Sequence, residues 1–357
     1  MTIIIAEAGV NHNGDEKLAF KLVDAAFAAG ADVVKFQTFK TSKLVTADAE
    51  KAHYQITDNK KTESQFNMLS RLELSFKFHF ELVEYCKKIG IEFLSTAFDF
   101  DSLSFLVDKL ELKQLKIPSG DLTNSPLVLA HAKSGCDIIV STGMATLAEI
   151  ETALGVIAFG YIAEHAEKPS LQAFEKAYHS VAGQKKLKEK VTLLHCTTEY
   201  PAPLRDINLR AMDTMANAFK LPIGYSDHSE GFEVPIAAVA LGAKIIEKHF
   251  TLDRNMHGPD HKASLEPRAL AEMINGIRNV ELCLGDGIKG PRPSEIKNKS
   301  VARKSLIADQ DIKQGAVFTE NNVSIKRPGL GKSPLHYWDL LGSEAKQDYR
   351  IGDLINE

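Results

Sequence analysis

Residues 223–249, IGYSDHSEGFEVPIAAVALGAKIIEKH, hold the pattern that decides the fold. Two short apolar runs in this stretch each end on a histidine, and the small residues between them are typical of a helix. The stretch therefore predicts a strand, a helix and a second strand, with His228 and His249 at the carboxyl ends of the strands. In a parallel barrel these ends open into one mouth, so the two imidazoles are predicted to converge.

The same alternation of strand and helix runs through the preceding chain. Six further apolar runs are predicted as strands: Ile3–Glu7, Val33–Thr38, Glu92–Thr96, Leu115–Pro118, Asp137–Gly143 and Val191–Cys196. Eight strands that alternate with helices favour an α/β fold, a (β/α)₈ TIM barrel, and a doubly wound sheet is the alternative. The polar segment 40–62 predicts a lid or active-site loop, and the charged, helix-prone residues 161–190 predict an insertion.

The pattern changes after residue 284. The Gly/Pro-rich and polar residues 285–299 predict a linker, and strand-like runs separated by turn signals follow at Val301–Ala302, Ile307–Ala308, Gly315–Phe318 and Ser324–Arg327. We therefore expect a catalytic barrel over residues 1–284 and a small β-rich domain over residues 300–357. A unit of roughly 60 residues is near the lower limit for independent folding, so it is expected to lean on the barrel or on a partner chain.

Composition and charge exclude several classes of protein. The 357 residues are 44% hydrophobic and 25% charged, which is typical of a globular chain, and the net charge of -4 argues against nucleic acid as a partner. No apolar run approaches the roughly 20 residues of a membrane span, and Glu7 and Asn11 interrupt the first run too early for a signal peptide. The four cysteines lack CxxC spacing, which predicts reduced thiols and a cytoplasmic protein.

His228 and His249 are predicted to bind a divalent metal. Two imidazoles without a thiolate leave coordination positions for water or substrate, as in a Lewis-acid site. Asp227 and Glu247 are close enough in sequence to hold the rings, or equally to pair with a lysine of the second strand. The alternative interpretation is a pair of hydrogen-bonded core histidines.

Lysines and hydroxyl groups at other strand ends predict an anion site. Lys35 and Lys116 end apolar strands, where a lysine is unfavourable unless a carboxylate or phosphate meets it. Ser95–Thr96, Ser119–Gly120 and Ser141–Gly143 add donors of the kind that bind phosphate in barrels. Either lysine could instead form a Schiff base, which keeps a metal-free aldolase open as an alternative.

Glu7 ends the apolar first strand and therefore needs a partner. A general acid or base is the functional interpretation, and an ion pair with Lys35 is the structural one. Gln37 shares a strand face with Lys35, so both could point into the mouth.

Seven motifs, in order along the chain, resemble those of bacterial sialic acid synthases, a family that includes N-acetylneuraminate and N,N'-diacetyllegionaminate synthases. They are residues 6–14 (AEAGVNHNG), 34–38 (VKFQT), 116–120 (KIPSG), 141–144 (STGM), 195–201 (HCTTEYP), 226–228 (SDH) and 247–251 (EKHFT). The tail resembles the C-terminal antifreeze-like (SAF) domain of this family. The resemblance covers nearly the whole chain, and the insertion at 161–190 departs from shorter members.

This resemblance implies condensation of phosphoenolpyruvate with an N-acylated mannosamine-type aldose, giving a nine-carbon 2-keto sugar acid and phosphate. C3 of phosphoenolpyruvate would attack the open-chain aldehyde, and water added at C2 would give a tetrahedral intermediate that loses phosphate by C–O cleavage. His228 and His249 would hold the metal that polarises the aldehyde, usually Mn²⁺, with Mg²⁺ or Co²⁺ as alternatives. Glu7 would handle the proton transfers or position the water.

The resemblance also implies the binding residues. Phosphoenolpyruvate would be held by Lys35, Thr96, Lys116, Ser119, Thr198 and Ser226, and the sugar by Gln37, Asp121, Tyr200 and Asp260. Arg327 would reach the N-acyl group from the tail of a partner subunit, which implies a domain-swapped homodimer. N-acetylneuraminate synthase and N,N'-diacetyllegionaminate synthase fit the motifs nearly equally. Pseudaminate synthase and a non-catalytic carbohydrate-binding protein are more distant alternatives.

Overall fold

The computed structural model describes residues 1–51, 63–164 and 166–357, so residues 52–62 of the predicted lid lie outside the described residues. The chain divides into two compact units, Met1–Gly285 and Asp286–Glu357. No helix in the described ranges is long and apolar enough to cross a bilayer.

The first unit is a closed barrel of eight parallel strands that neighbour one another in chain order. The strands are β1 Ile3–Gly9, β2 Val33–Thr38, β3 Glu92–Ala97, β4 Gln114–Ile117, β5 Asp137–Ser141, β6 Val191–Cys196, β7 Ile223–Asp227 and β8 Ile245–His249. β8 pairs with β1 and closes the barrel. The predicted TIM barrel is confirmed, and the doubly wound alternative is excluded.

Helices surround the barrel. They are α1 Glu16–Ala29, α2 Thr41–Leu44, α3 Gln65–Ser70, α4 Phe76–Ile89, α5 Phe100–Ser104, α6 Ser125–Lys133, α7 Leu147–Ile162, α8 Leu171–His179, α9 Val181–Lys190, α10 Arg210–Phe219, α11 Glu233–Ala240 and α12 Pro267–Leu284. Capping residues set the limits of several of them, as in α4. The Ser75 hydroxyl accepts from the backbone N–H of Phe78 at the start of α4, and Gly90 ends that helix with a left-handed φ of 88°.

Most described residues of the predicted insertion, 161–190, are helical, and residues 163–164 and 166–170 are loop. It comprises the end of α7 and the whole of α8 and α9, and α9 leads directly into β6. A Cβ on Gly155 of α7 would lie 3.0 Å from the carbonyl oxygen of Phe174, and the ring centroids of Phe159 and Phe174 are 5.3 Å apart. The insertion therefore packs closely on the outside of α7.

An apolar layer fills the barrel below its mouth. It consists of the buried side chains Ile5, Val33, Leu94, Ile139, Leu194 and Ile245. Because side chains of one strand face the same side at every second residue, the residues two positions further on form the next layer: Glu7, Lys35, Thr96, Ser141, Cys196 and Glu247. The change from aliphatic to polar side chains therefore sets the floor of the mouth.

The second unit contains helix α13 Pro293–Ala302, strands β9 Ser305–Ala308 and β10 Val323–Lys326, and the short helix α14 Tyr337–Leu340. The two strands are antiparallel, and Leu306, Phe318 and Tyr349 belong to a separate core.

The prediction of a strand at Val301–Ala302 is wrong, since both residues end helix α13, which also occupies much of the predicted linker. Two apolar residues are too short a run to distinguish a strand from a helix end. The helix starts at Pro293, and the Glu295 carboxylate accepts from the Arg292 N–H at 2.9 Å. Gly315–Phe318 forms no regular strand and contributes an isolated bridge between Val317 and Glu344.

Candidate active site

A cavity of about 380 Å³ opens at the carboxyl ends of the barrel strands. Most of the predicted site residues line it: Glu7, Lys35, Gln37, Thr96, Lys116, Ser119, Thr198, Tyr200, Ser226, His228, His249 and Asp260. Asp121 does not line the cavity, and its carboxylate accepts a hydrogen bond from the Asn124 side chain at 3.0 Å. Arg327 is an exposed residue of the second unit, where its Nε donates to the Ala302 carbonyl oxygen at 3.1 Å.

The two predicted anion-binding lysines lie at the base of the cavity. Lys35 Nζ is 2.8 Å from Glu7 Oε2 and 3.4 Å from Glu247 Oε2, and it donates to Thr96 Oγ1 at 3.1 Å. Lys116 Nζ donates to Ser141 Oγ at 2.7 Å and lies 3.7 Å from Glu247 Oε1. The sequence-based alternative of a Glu7–Lys35 ion pair is thus present, and Glu247 is shared between both lysines.

Glu7 and Glu247 are held in different protonation states. Burial raises the pKa of Glu7 to about 7, with Lys35 opposing the shift and Glu247 adding to it. Burial would also raise the pKa of Glu247, but Lys116 and Lys35 lower it to about 2. Two carboxylates whose environments separate their pKa values are suited to different tasks. Glu7 is therefore the group that can exchange a proton near neutral pH, while Glu247 stays ionised.

The two histidines converge as predicted, with ring centroids 5.7 Å apart. The His228 Nδ1–H donates to the Thr197 carbonyl oxygen at 2.6 Å, which leaves its Nε2 with a lone pair. His249 Nδ1 is buried and has no hydrogen-bond partner among the residues that the structure describes; it lies 4.0 Å from Asp260 Oδ2. Burial lowers the pKa of both imidazoles and so favours the neutral ring, which is the form that binds metals.

Two observations indicate that these side chains fit a divalent cation. Among the described residues, nothing bonds to the buried Nδ1 of His249. Burial also raises the pKa of the Asp260 carboxyl to about 6, as expected for a buried carboxylate without a neighbouring cation. No group of three or more His, Cys, Asp or Glu side chains in the described part of the chain is placed to hold a metal. An ion here would therefore complete its coordination with water or substrate, which is the open type of site.

Of the two alternatives for Asp227 and Glu247, the structure shows pairing with lysines and not contact with the imidazole rings. Asp227 pairs with Lys248, and Glu247 accepts from Ser226 Oγ at 2.9 Å in addition to its contacts with Lys35 and Lys116. Glu247 is thus a site residue that the sequence analysis missed in this role. Its position two residues after the apolar-layer residue Ile245 was the available signal.

Gly9 allows the functional groups to approach one another. Its φ is 53°, and a Cβ at this position would lie 3.3 Å from Glu7 Oε1 and 3.4 Å from both Gln37 Nε2 and His249 Cε1. A residue without a side chain is therefore required where β1 ends.

One side of the cavity is apolar, and the sequence analysis missed it. We call this surface the apolar wall; it consists of Val10, Leu44, Val45, Met68, Leu69 and Phe98. Its residues follow β1, β2 and β3, whereas the polar groups at the floor come from the strands themselves. The cavity therefore joins a charged floor to an apolar side.

Comparisons with known proteins match both units. A model described as the NeuB family matches residues 22–289, and a SAF domain model matches residues 303–357. An N,N'-diacetyllegionaminic acid synthase of Campylobacter jejuni is 49% identical over 356 residues, which cover 100% of this chain and 99% of the relative. The protein of the same name from Legionella pneumophila is 42% identical over 352 residues, covering 99% of this chain and 92% of the relative.

A solved structure agrees with these relatives. The crystal structure of an N-acetylneuraminic acid (sialic acid) synthetase from Leptospira borgpetersenii in complex with citrate matches with a TM-score of 0.65 and 35% identity. The match covers 83% of this chain and 90% of that chain. The resemblance stated from the motifs is confirmed: the chain is an enzyme that belongs to the NeuB family and carries a C-terminal SAF domain.

Proposed function

We propose that this chain is an N,N'-diacetyllegionaminate synthase, which condenses phosphoenolpyruvate with 2,4-diacetamido-2,4,6-trideoxymannose and releases phosphate. The observation that carries the proposal is the convergence of two lysines, a carboxyl with a pKa near neutrality and two neutral imidazoles in one cavity. The sequence motifs resemble those of N-acetylneuraminate and N,N'-diacetyllegionaminate synthases nearly equally. Identities of 49% and 42% to legionaminic acid synthases, against 35% to a sialic acid synthetase, favour the diacetamido sugar. N-acetylneuraminate synthesis from N-acetylmannosamine is the second candidate.

Lys35 and Lys116 bind the two anionic groups of phosphoenolpyruvate in this proposal. Charge-assisted hydrogen bonds from buried ammonium groups are stronger than neutral ones, and both lysines are almost wholly buried at 3% exposure. The hydroxyl groups of Thr96, Ser119, Thr198 and Ser226 line the same cavity and add donors. The enol is thereby fixed with C3 towards the side of the cavity where the histidines lie.

His228 and His249 would hold a divalent ion, for which we propose Mn²⁺, with Mg²⁺ or Co²⁺ as alternatives; when bound, it polarises the aldehyde of the open-chain sugar. The sugar is positioned by Gln37, Tyr200 and Asp260. The Tyr200 ring centroid is 4.1 Å from that of His228, so a hydroxyl group held by Tyr200 is close to the proposed metal ligand.

Glu7 acts in the step that follows attack of C3 on the aldehyde. Water adds at C2, and Glu7 either takes the proton of this water or positions it; loss of phosphate by C–O cleavage then leaves the 2-keto acid. Its pKa of about 7 matches the requirement that a general base titrate near the working pH.

We further propose that Arg327 of a partner subunit contacts the N-acyl group in a domain-swapped homodimer, and that Asp121 contributes to sugar binding.

We propose the cytoplasm as the location, since none of the four cysteines forms a disulfide.

The proposal is tested by measuring phosphate release with each sugar separately. With Mn²⁺ present, we expect turnover of the diacetamido sugar with a kcat/KM at least about 10-fold above that of N-acetylmannosamine, and loss of turnover on chelation. ¹⁸O in the bridging C–O–P position of phosphoenolpyruvate should appear in the released phosphate.

Other outcomes identify the alternatives. Turnover of neither sugar contradicts the proposal, and a preference for N-acetylmannosamine supports the second candidate. Turnover that survives chelation, together with borohydride trapping of Lys35 or Lys116, supports a Schiff-base aldolase.

A further inference from the structure

The apolar wall is supported by a packed hydrophobic cluster. Val10 and Met68 are buried and belong to a cluster with Phe39 and Leu72 behind the cavity, against which the half-buried Leu44, Leu69 and Phe98 pack. Phe39 and Phe98 meet edge to face with ring centroids 6.2 Å apart. Because this cluster anchors the wall, the side chains that face the cavity are fixed in place before a ligand arrives.

We infer that the apolar wall selects the sugar, by receiving the C6 methyl and the C4 acetamido methyl of a 2,4-diacetamido-2,4,6-trideoxy aldose. This inference rests on the proposed function and adds the residues that set its specificity. None of the six wall side chains carries a hydrogen-bonding nitrogen or oxygen. They therefore favour methyl groups over the C4 and C6 hydroxyl groups of N-acetylmannosamine.

The position of the wall agrees with the way the sugar must lie. Its aldehyde carbon has to be near His228, which follows β7, and His249, which ends β8. β8 pairs with β1, and the wall begins immediately after β1, with Val10. The remote end of an extended six-carbon chain, C4 to C6, can therefore reach the wall on the β1 side of the mouth.

The energetic contrast between the two sugars is sufficient for selection. One methyl or methylene group in a hydrophobic pocket changes kcat/KM by about 10- to 200-fold, and such a pocket rejects an added hydroxyl by about 100-fold. The two sugars differ at two such positions. Gln65 of α3 also lines the cavity, so the wall has a polar neighbour for the amide of the C4 substituent.

The test uses the full-length chain with near-isosteric polar substitutions in the half-buried wall residues, Leu44→Asn and Leu69→Asn. We expect each to lower the ratio of kcat/KM for the diacetamido sugar to kcat/KM for N-acetylmannosamine by about 10-fold or more, with KM for phosphoenolpyruvate unchanged. Leu129→Asn is the matched control, because Leu129 is also half-buried but lies on α6 away from the cavity. It should change neither sugar's kcat/KM.

A second arm uses wild-type protein and does not depend on how the variants fold. 2-Acetamido-2,6-dideoxymannose and 2,4-diacetamido-2,4-dideoxymannose each carry one of the two features, and each should have a kcat/KM between those of the two parent sugars. An active wild type with no preference between the four sugars, or variants that lose activity equally on both parent sugars, would overturn the inference. Failure of the proposed function is distinguishable, because then wild-type protein turns over neither parent sugar.

Discussion

Lys248 Nζ lies 2.5 Å from Asp227 Oδ2, and the two side chains are 1% and 0% exposed. Ser229 also donates to Asp227, through its hydroxyl at 2.8 Å and its backbone N–H at 3.1 Å. Because side chains alternate along a strand, Asp227 and Lys248 lie on the opposite face from their sequence neighbours His228 and His249. The ion pair therefore joins β7 and β8 directly behind the two proposed metal ligands.

Breaking this pair should destabilise the barrel strongly. Lys248→Met leaves the Asp227 carboxylate buried without its cation, and such a loss costs about 3–5 kcal/mol of unfolding free energy. Chemical denaturation measures it. The control is Lys185→Met, which removes an exposed pair with Glu189 at 3.9 Å and should cost at most about 1 kcal/mol. Equal losses in the two variants would contradict a structural role for the Asp227–Lys248 pair.

Replacing Glu7 should remove proton transfer without disrupting the site. Glu7→Gln keeps the shape of the side chain, so we expect phosphate release to fall by about 100- to 10,000-fold, while circular dichroism and KM for phosphoenolpyruvate change little. In the wild type, kcat/KM should rise with pH through about 7, since the carboxylate form predominates above the pKa of Glu7. If Glu7→Gln keeps this pH dependence, the titrating group is not Glu7. Glu84→Gln, on the exposed face of α4, is the control.

Metal binding should depend on both imidazoles. His228→Gln and His249→Gln are each expected to weaken Mn²⁺ binding by about 100-fold or more. Loss of a residue that only orients a metal ligand costs about 10- to 100-fold in metal affinity, and loss of a ligand itself should cost at least as much. Isothermal titration with Mn²⁺ alone measures this without turnover. His195→Gln is the control, because His195 Nε2 bonds the Ile207 carbonyl oxygen at 2.8 Å outside the cavity. If both variants bind Mn²⁺ with unchanged affinity, His228 and His249 are not metal ligands.

Subunit complementation should reveal a contribution of Arg327 from a partner chain. Arg327→Ala and Glu7→Gln are each expected to be nearly inactive, but a mixed dimer contains one site with an intact Glu7 and an intact Arg327. Denaturing and refolding the two variants together should restore up to about a quarter of wild-type activity, the statistical share of such sites. If Arg327 acts within its own chain, the mixture stays inactive.

His131 should make the barrel sensitive to acid. Its side chain is buried on α6, Nδ1 pairs with the Leu127 carbonyl oxygen at 2.8 Å, and burial lowers the pKa of this imidazole to about 4. Since the unfolded chain takes up the proton at its higher pKa of about 6.5, stability is lost as the pH falls from 6.5 towards 4.

The expected loss from this group is about 2 kcal/mol between pH 7 and pH 5. His131→Leu should show a correspondingly smaller decrease in unfolding free energy over that range. His179→Gln, at an exposed position, should behave as the wild type does. A wild-type decrease equal to that of His131→Leu would contradict the assignment.

The barrel was predictable because its signals are local. Strand periodicity and caps such as Ser75 and Gly90 depend on neighbouring residues, and they located the strands and the limits of α4. The two lysines and two histidines were predictable for the same reason, since a strand end is visible in the sequence.

Contacts across the barrel were not predictable in this way. Glu247 lies between two lysines of its own sequence neighbourhood, yet it pairs with Lys35 and Lys116, which are brought to it by closure of the barrel. The apolar wall was missed because its members are dispersed over segments that follow three different strands. Helix α13 was missed because proline and polar residues are typical both of linkers and of helix starts.

Glu247 lies within 3.4 Å of Lys35 and 3.7 Å of Lys116, so the proposed anion site contains its own carboxylate counter-ion. A simple inorganic anion gains little there, because it would have to compete with a carboxylate that cannot diffuse away. In the proposed function, phosphoenolpyruvate would meet both ammonium groups at once, since its carboxylate and its phosphate are held at a fixed separation by the enol. If Lys35 and Lys116 bind phosphoenolpyruvate as proposed, the site would select a ligand by the spacing of its two negative charges, and a single phosphate ion would bind less tightly.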